Sequence, residues 1–214
     1  FFMKTKRDEY ETSPVVAFGE LVFNLLMLNV LWTLCSIFII TIGCSCTALN
    51  YTCIKMCRDE GDSIIRMFFR SFRDNFRQAL VLGTGMLIIF ILLLAGLIQA
   101  LGVAAAGNFL GVICIVLLVF VFLIWLVMYT YIFMILARFD NPIIRTVTNA
   151  AYMAVKEMPL TLKVLVIEVT LLICLPVVLW NMAPFLFPMY IFFGMATITY
   201  INAKEFNKVF EKYM

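Results

Sequence analysis

Histidine is absent from the 214 residues. That excludes a Ser-His-Asp triad, a Cys-His pair and an HExxH zinc site. No GxxxxGK[ST] segment occurs, so any ATP-driven role requires a separate ATPase. Charge is scarce as well: 14% of residues are Asp, Glu, Lys or Arg, against about 25% in soluble domains, and the net charge is +3. So small a basic excess does not make the extended positive field of a nucleic-acid binder. The expectation is a chain that is not an enzyme, needs no cofactor and has no nucleic-acid partner.

What the sequence has in abundance is apolar surface. Hydrophobic residues make up 64% of the chain, gathered into blocks such as Val81 to Ala106 and Phe109 to Ala137, each exceeding the roughly 20 residues a helix needs to cross a bilayer core. The reading is all-α: a polytopic transmembrane helix bundle forming a single membrane domain over 1–214. The segment before the first apolar run mixes both charge signs and no small-residue cleavage pattern follows, so that run is expected to be a retained span.

Lysine and arginine orient the crossings, because cytoplasmic loops carry them in excess. Segments 55–77 and 138–163 are basic, whereas the connectors 102–107 and 181–184 are uncharged. Lys4, Lys6 and Arg7 favour an N-terminus inside, and Lys204, Lys208 and Lys212 a C-terminus inside. Six spans satisfy this, near 18–39, 43–57, 79–101, 108–138, 160–181 and 184–203, with Pro188 in the first turn of the last. The alternative has five, with the N-terminus outside. The second span is the weak one: fifteen residues reach only about 22 Å against a core of roughly 30 Å. It is therefore tilted, extended at its ends, or re-entrant against other helices.

Between the second and third spans, residues 62–78 are expected to form a cytoplasmic interfacial helix. Arg66, Arg70, Arg73 and Arg77 fall within about 60° of one another at helical spacing, beside an apolar face of Ile65, Phe68, Phe69, Phe72 and Phe76. Such a helix rests its aromatics in the headgroup boundary and its arginines at phosphate level. The stripe reads either as a solvated edge or as a docking surface for lipid or a partner. A second segment, 141–158, aligns at an offset of 79, with Ile64-Ile65-Arg66 matching Ile143-Ile144-Arg145 and Arg77 matching Lys156.

Polar groups inside spans are functional candidates. Glu168 lies eight residues into its span with no basic residue at i±3 or i±4. It must pair with another helix, line a wet cavity or be protonated. Asn24, Asn29, Asn50 and Gln99 are the other intramembrane candidates, with interhelical hydrogen bonding as the plainer reading. Glu20 and Glu205 lie nearer the interface. Of seven cysteines, Cys46, Cys53 and Cys57 recur at i, i+7 and i+11 along one stripe, with Cys44 adjacent. A soft metal is geometrically conceivable there. Small apolar packing residues are the preferred reading, since Cys35, Cys114 and Cys174 stand singly in other spans.

The stretch 28–80 carries a pattern of its own: Leu28-Asn29 with Leu31-Trp32, then Thr41-Ile42-Gly43, Thr47-Ala48-Leu49 and Tyr51, and finally Phe68 to Ala79 as FFRSFRDNFRQA. In this it resembles the YesL-like family of bacterial integral membrane proteins. Members often carry a proline shortly before the Thr-Ile-Gly; here Phe38 to Ile40 have none, so the hairpin break is expected to rest on Gly43. The resemblance implies location in the bacterial cytoplasmic membrane and a role beside carbohydrate uptake, with permease or ATPase subunits of an importer as partners besides the lipid bilayer. An accessory or regulatory component is the first expectation, a stand-alone transporter or channel using Glu168 and the amides the second, and a cysteine-based metal or redox protein the third.

Overall fold

The computed structural model describes residues 14–60, 63–182 and 184–213; Lys4, Lys6, Arg7 and Asp62 lie outside them. The chain forms α1 (Pro14–Cys35), α2 (Ile42–Met56), α3 (Ile64–Asp74), α4 (Phe76–Ala105), α5 (Phe109–Arg138), α6 (Ile143–Lys156), α7 (Met158–Glu168), α8 (Leu175–Met182) and α9 (Phe187–Phe210). A π-helical turn at Val169–Cys174 joins α7 to α8. Among the described residues, Pro14–Cys35, Phe76–Ala105, Phe109–Arg138 and Met158–Met182 are long and apolar enough to cross a membrane.

Local chemistry sets the breaks. Gly107, at φ +79°, turns α4 into α5. Its N–H reaches the Ala104 carbonyl and the Asn108 N–H that of Val103. Only glycine adopts this left-handed cap without penalty. Asn108 then caps α5 by accepting from the Leu110 N–H at 3.0 Å. Pro159 sits in the first turn of α7, where it ends α6 and opens the next helix. The carbonyl of Ala154 that this break releases accepts from Thr161 Oγ1 at 2.6 Å.

The expected interfacial helix divides at Asn75. Arg66, Arg70 and Arg73 lie on α3 while Phe76 and Arg77 begin α4. Its apolar face divides too, because the core claims part of it: Phe68 is fully buried, whereas Ile65, Phe69 and Phe76 point outward. The helices α3 and α6 begin at Ile64 and Ile143, the same 79-residue offset seen in the sequence.

The α1–α2 turn also falls elsewhere than expected. It occupies Ser36–Phe38 and a tight turn at Ile39–Thr41, held by Thr41 Oγ1 donating to the carbonyls of Cys35 and Phe38 at 2.6 and 2.7 Å. Gly43 is already helical. Its role is contact: a Cβ on Gly43 would stand 2.7 Å from the Gly83 Cα, so two backbones touch where α2 crosses α4.

From Gly43 to Asn50 every residue of α2 is buried, as are Thr52, Cys53 and Ile54. A polar helix tolerates this because its hydroxyls bond their own backbone. Ser45 donates to the Thr41 carbonyl, Thr47 to Gly43 and Thr52 to Ala48, at 3.1, 2.8 and 2.8 Å. An unsatisfied hydroxyl there would cost about 1–3 kcal/mol.

Contacts at both ends of α2 place it within one layer of the bundle. Near its start, Cys44 Sγ lies 3.4 Å from the carbonyl of Phe76, the first residue of α4. Near its finish, Asn207, in the last turn of α9, donates to the Ile54 carbonyl at 3.1 Å. Residues 83 to 105 of α4 thus continue about 33 Å beyond the Gly43 contact. The same layer holds the core: Thr130 to Ala137 of α5 are all buried, while Phe109 to Ile113 are exposed apart from Gly111. The expected second crossing, 43–57, is a core helix that meets the beginning of α4 at its start and the last turn of α9 at its finish.

Candidate functional site

Where α2, α4, α5, α7 and α9 converge they leave a cavity of about 400 Å³. One wall is an aromatic file that α5 presents at four-residue intervals. Trp125 and Tyr129 lie 5.3 Å apart between ring centres, Tyr129 and Phe133 4.8 Å, and Phe90 of α4 stands 5.2 Å from Trp125. The ring nitrogen of Trp125 donates to the Met86 carbonyl at 3.1 Å, which fixes the indole. Tyr129 OH and Cys46 Sγ are 2.9 Å apart, and Trp32 Nε1 donates to the same sulfur at 3.3 Å.

Opposite lies Glu168, 4% exposed. Its Oε1 accepts from Thr130 Oγ1 and from Asn202 Nδ2, the latter at 3.4 Å. Its Oε2, and the Oδ1 of Asn202, are buried with no hydrogen-bond partner among the described residues. Among the described residues no Lys or Arg lines the cavity. The carboxyl group is held by one oxygen and offers the other.

Backbone geometry positions it. Glu168 is the last residue of α7, directly before the π turn. Pro176 cannot donate to the carbonyl four residues back, and the helix adjusts upstream: Leu175 N–H bonds the Thr170 carbonyl five residues earlier. Tyr190 OH donates to the Leu171 carbonyl at 2.8 Å within this turn. Such π turns recur at functional sites.

The remaining candidates disperse. Asn29 is buried, and its Oδ1 accepts from the Ala196 N–H at 3.0 Å, tying α1 to α9. Asn50 lines the cavity. Asn24 is half-buried in a separate polar cleft with Glu20, Lys55 and Asp59. Gln99, expected in the interior, faces outward, because α4 turns Ala79, Leu82, Met86 and Ala100 inward instead. Arg66, Arg70, Arg73 and Arg77 are all exposed, with Arg70 3.7 Å from Asp74.

All seven cysteines are free thiols. Cys46 faces the aromatic wall, Cys53 is fully buried, and Cys57 Sγ lies 3.8 Å from the Tyr200 carbonyl. Among the described residues no three His, Cys, Asp or Glu side chains gather as a metal site. At the basic end, Glu205 meets Lys208 at 2.7 Å and Lys163 at 3.2 Å. Lys208 and then Lys163 hold its carboxyl below the ordinary 4.5.

Thr130, Asn202, Trp125 and Tyr129 are the site residues that sequence reasoning missed. Two signals were there: aromatics at Trp125, Tyr129 and Phe133, and the pair Thr199 and Asn202, each repeating at helical spacing in an apolar run.

Fold and site together define an all-helical protein with the apolar helices of a membrane protein and a buried acidic cavity. Residues 25–97, about a third of the chain, match the family model described as Protein of unknown function, DUF624. Neither a curated protein nor a solved structure matches. The matched segment supplies α2 and Phe90 of the aromatic file, whereas Trp125, Tyr129, Phe133, Glu168, Thr130 and Asn202 lie beyond it.

Proposed function

We propose that this protein is a non-enzymatic, multi-pass protein of the bacterial cytoplasmic membrane that binds a small solute inside its helix bundle, at Glu168. The observation that carries this reading is the open Oε2 of a buried carboxylate in a 400 Å³ cavity with an aromatic wall. Intramembrane carboxylates are expensive, and a cavity of this kind with few, convergent polar groups is the usual form of a binding site.

The topology that accompanies it has four full crossings, α4, α5, α7 with α8, and α9, plus a re-entrant α1–α2 hairpin. Both ends then lie in the cytoplasm, as the basic loops require. The hairpin tip, Ile37 to Ile40, is apolar and exposed, which suits hydrocarbon rather than water. A cysteine placed at Phe38, with Cys35, Cys114 and Cys174 replaced by Ala, should resist an impermeant maleimide added outside, while one at Gly107 should react. Equal labelling of both would refute the re-entrant hairpin.

A second reading is the accessory subunit of a carbohydrate importer, favoured by the exposed Arg70, Arg73 and Arg77 along the α3–α4 edge. Mild solubilisation should then recover permease or ATPase subunits with the wild type and fewer with all three arginines changed to Ala. The two readings are compatible, with the solute held at Glu168 and the partner at the arginines.

A further inference from the structure

We infer that the solute is an organic ammonium ion, a protonated amine on a compact apolar body; this rests on the solute-binding reading of the Glu168 cavity. The argument is an inventory of hydrogen-bonding valences. Several donors at the cavity wall already have partners. Trp125 Nε1 is bonded to Met86, Thr130 and the Asn202 amide nitrogen both donate to Glu168 Oε1, and Tyr129 OH shares a bond with Cys46 Sγ. At the acidic end of the cavity two acceptors stay open, Glu168 Oε2 and Asn202 Oδ1, while Asn50 and Thr199 bring polar groups to other parts of the wall. A ligand that completes the acidic end brings N–H or O–H donors to Glu168 and Asn202.

Charge narrows the class. Among the described residues the lining contains one acidic group and no Lys or Arg, so an anion would meet uncompensated repulsion. A neutral alcohol would supply a donor but nothing that favours ionisation of the buried carboxyl. A cation supplies both. Its nature follows from the rest of the wall: small hard cations take about six or more oxygen ligands at 2.0–2.6 Å, whereas here two open oxygens face aromatic rings. The π faces of Trp125, Tyr129 and Phe133 attract an organic cation and also cover its hydrocarbon body.

The test uses the purified full chain in nanodiscs and four probes: cyclohexylammonium, cyclohexanol and cyclohexanecarboxylate, which share one ring, and the larger, more polar methyl β-glucoside. Saturable binding is read by dialysis of labelled probe against empty nanodiscs. Cyclohexylammonium should bind at least about tenfold more tightly than cyclohexanol, a difference of about 1.4 kcal/mol, and cyclohexanecarboxylate should not bind. Glu168→Gln should bring the ammonium-to-alcohol ratio close to one, and Asn202→Leu should reduce it. If cyclohexanol or the glucoside binds as tightly as the ammonium, or if the preference survives Glu168→Gln intact, the ammonium assignment is overturned and the solute cavity stands. If none of the four binds saturably, both readings fail. The wild-type comparison decides the matter even where a variant does not fold.

Discussion

The core helix α2 and the α7–α8 stretch both carry polar atoms into the interior, and they treat them in opposite ways. In α2, Ser45, Thr47 and Thr52 bond carbonyls four residues back, so these hydroxyls are closed within the helix and its small side chains serve contact. In α7, Glu168 has no such outlet. It borrows Thr130 and Asn202 from two other helices and still keeps one oxygen open. Polarity resolved within a helix reads as structure. Polarity left open beside a cavity reads as a site.

The contrast yields a graded set of expectations. Gly43→Val should have the largest effect, because its branched side chain would enter the backbone of Gly83 and Ala79; overpacking of this kind costs about 1–3 kcal/mol or more. Thermal unfolding in detergent should show a fall of several degrees, and Gly83→Val should show a similar one, the pair together losing less than the sum. An unchanged melting temperature would mean that the α2–α4 contact is not what closes the core.

Glu168→Leu should move stability the other way. Replacing a buried carboxyl that has no cation beside it with an apolar side chain of similar volume removes its desolvation cost, so the melting temperature should hold or rise. A fall in melting temperature would show that the Thr130 and Asn202 bonds hold the bundle together and would remove the distinction drawn between the two stretches.

Thr47→Val should cost less than about 1 kcal/mol, the net worth of an ordinary hydrogen bond. Its measure is again the melting temperature, and a loss comparable to that of Gly43→Val would show that α2 is not self-sufficient.

The smallest effect belongs to Glu205. Lys208 and Lys163 lower its folded-state pKa below 4.5, so its ion pairs stabilise the fold above that value. Their contribution is lost as pH falls through the lowered folded-state value. Glu205→Gln should flatten stability in this acidic window and change little at neutral pH, in melts recorded from pH 3 to 7.

Much of the fold was legible in the sequence for physical reasons that can be named. Long apolar blocks announce helices because a bilayer core demands length, and the four long helices lie close to where those blocks do. The Ile-Ile-Arg starts of α3 and α6 were visible because both helices open on the same motif. Glu168 stood out through its isolation. What was hidden depends on neighbours distant in sequence. Gly43 looked like a turn and is a crossing point, since its meaning comes from Gly83, forty residues away. Gln99 looked interior because hydropathy along a helix does not say which face turns inward. Phe68 parted from Phe69 because α2 covers only one side of α3. Thr130 and Asn202 gain their roles only when α5, α7 and α9 bring them to one carboxylate.

The most direct test is to compare wild type and Glu168→Gln in one preparation, following cyclohexylammonium binding and the melting temperature together. The expected result is loss of the preference for the ammonium over cyclohexanol with the melting temperature unchanged or higher. A lower melting temperature with the binding preference intact would contradict the assignment of Glu168 as the binding group.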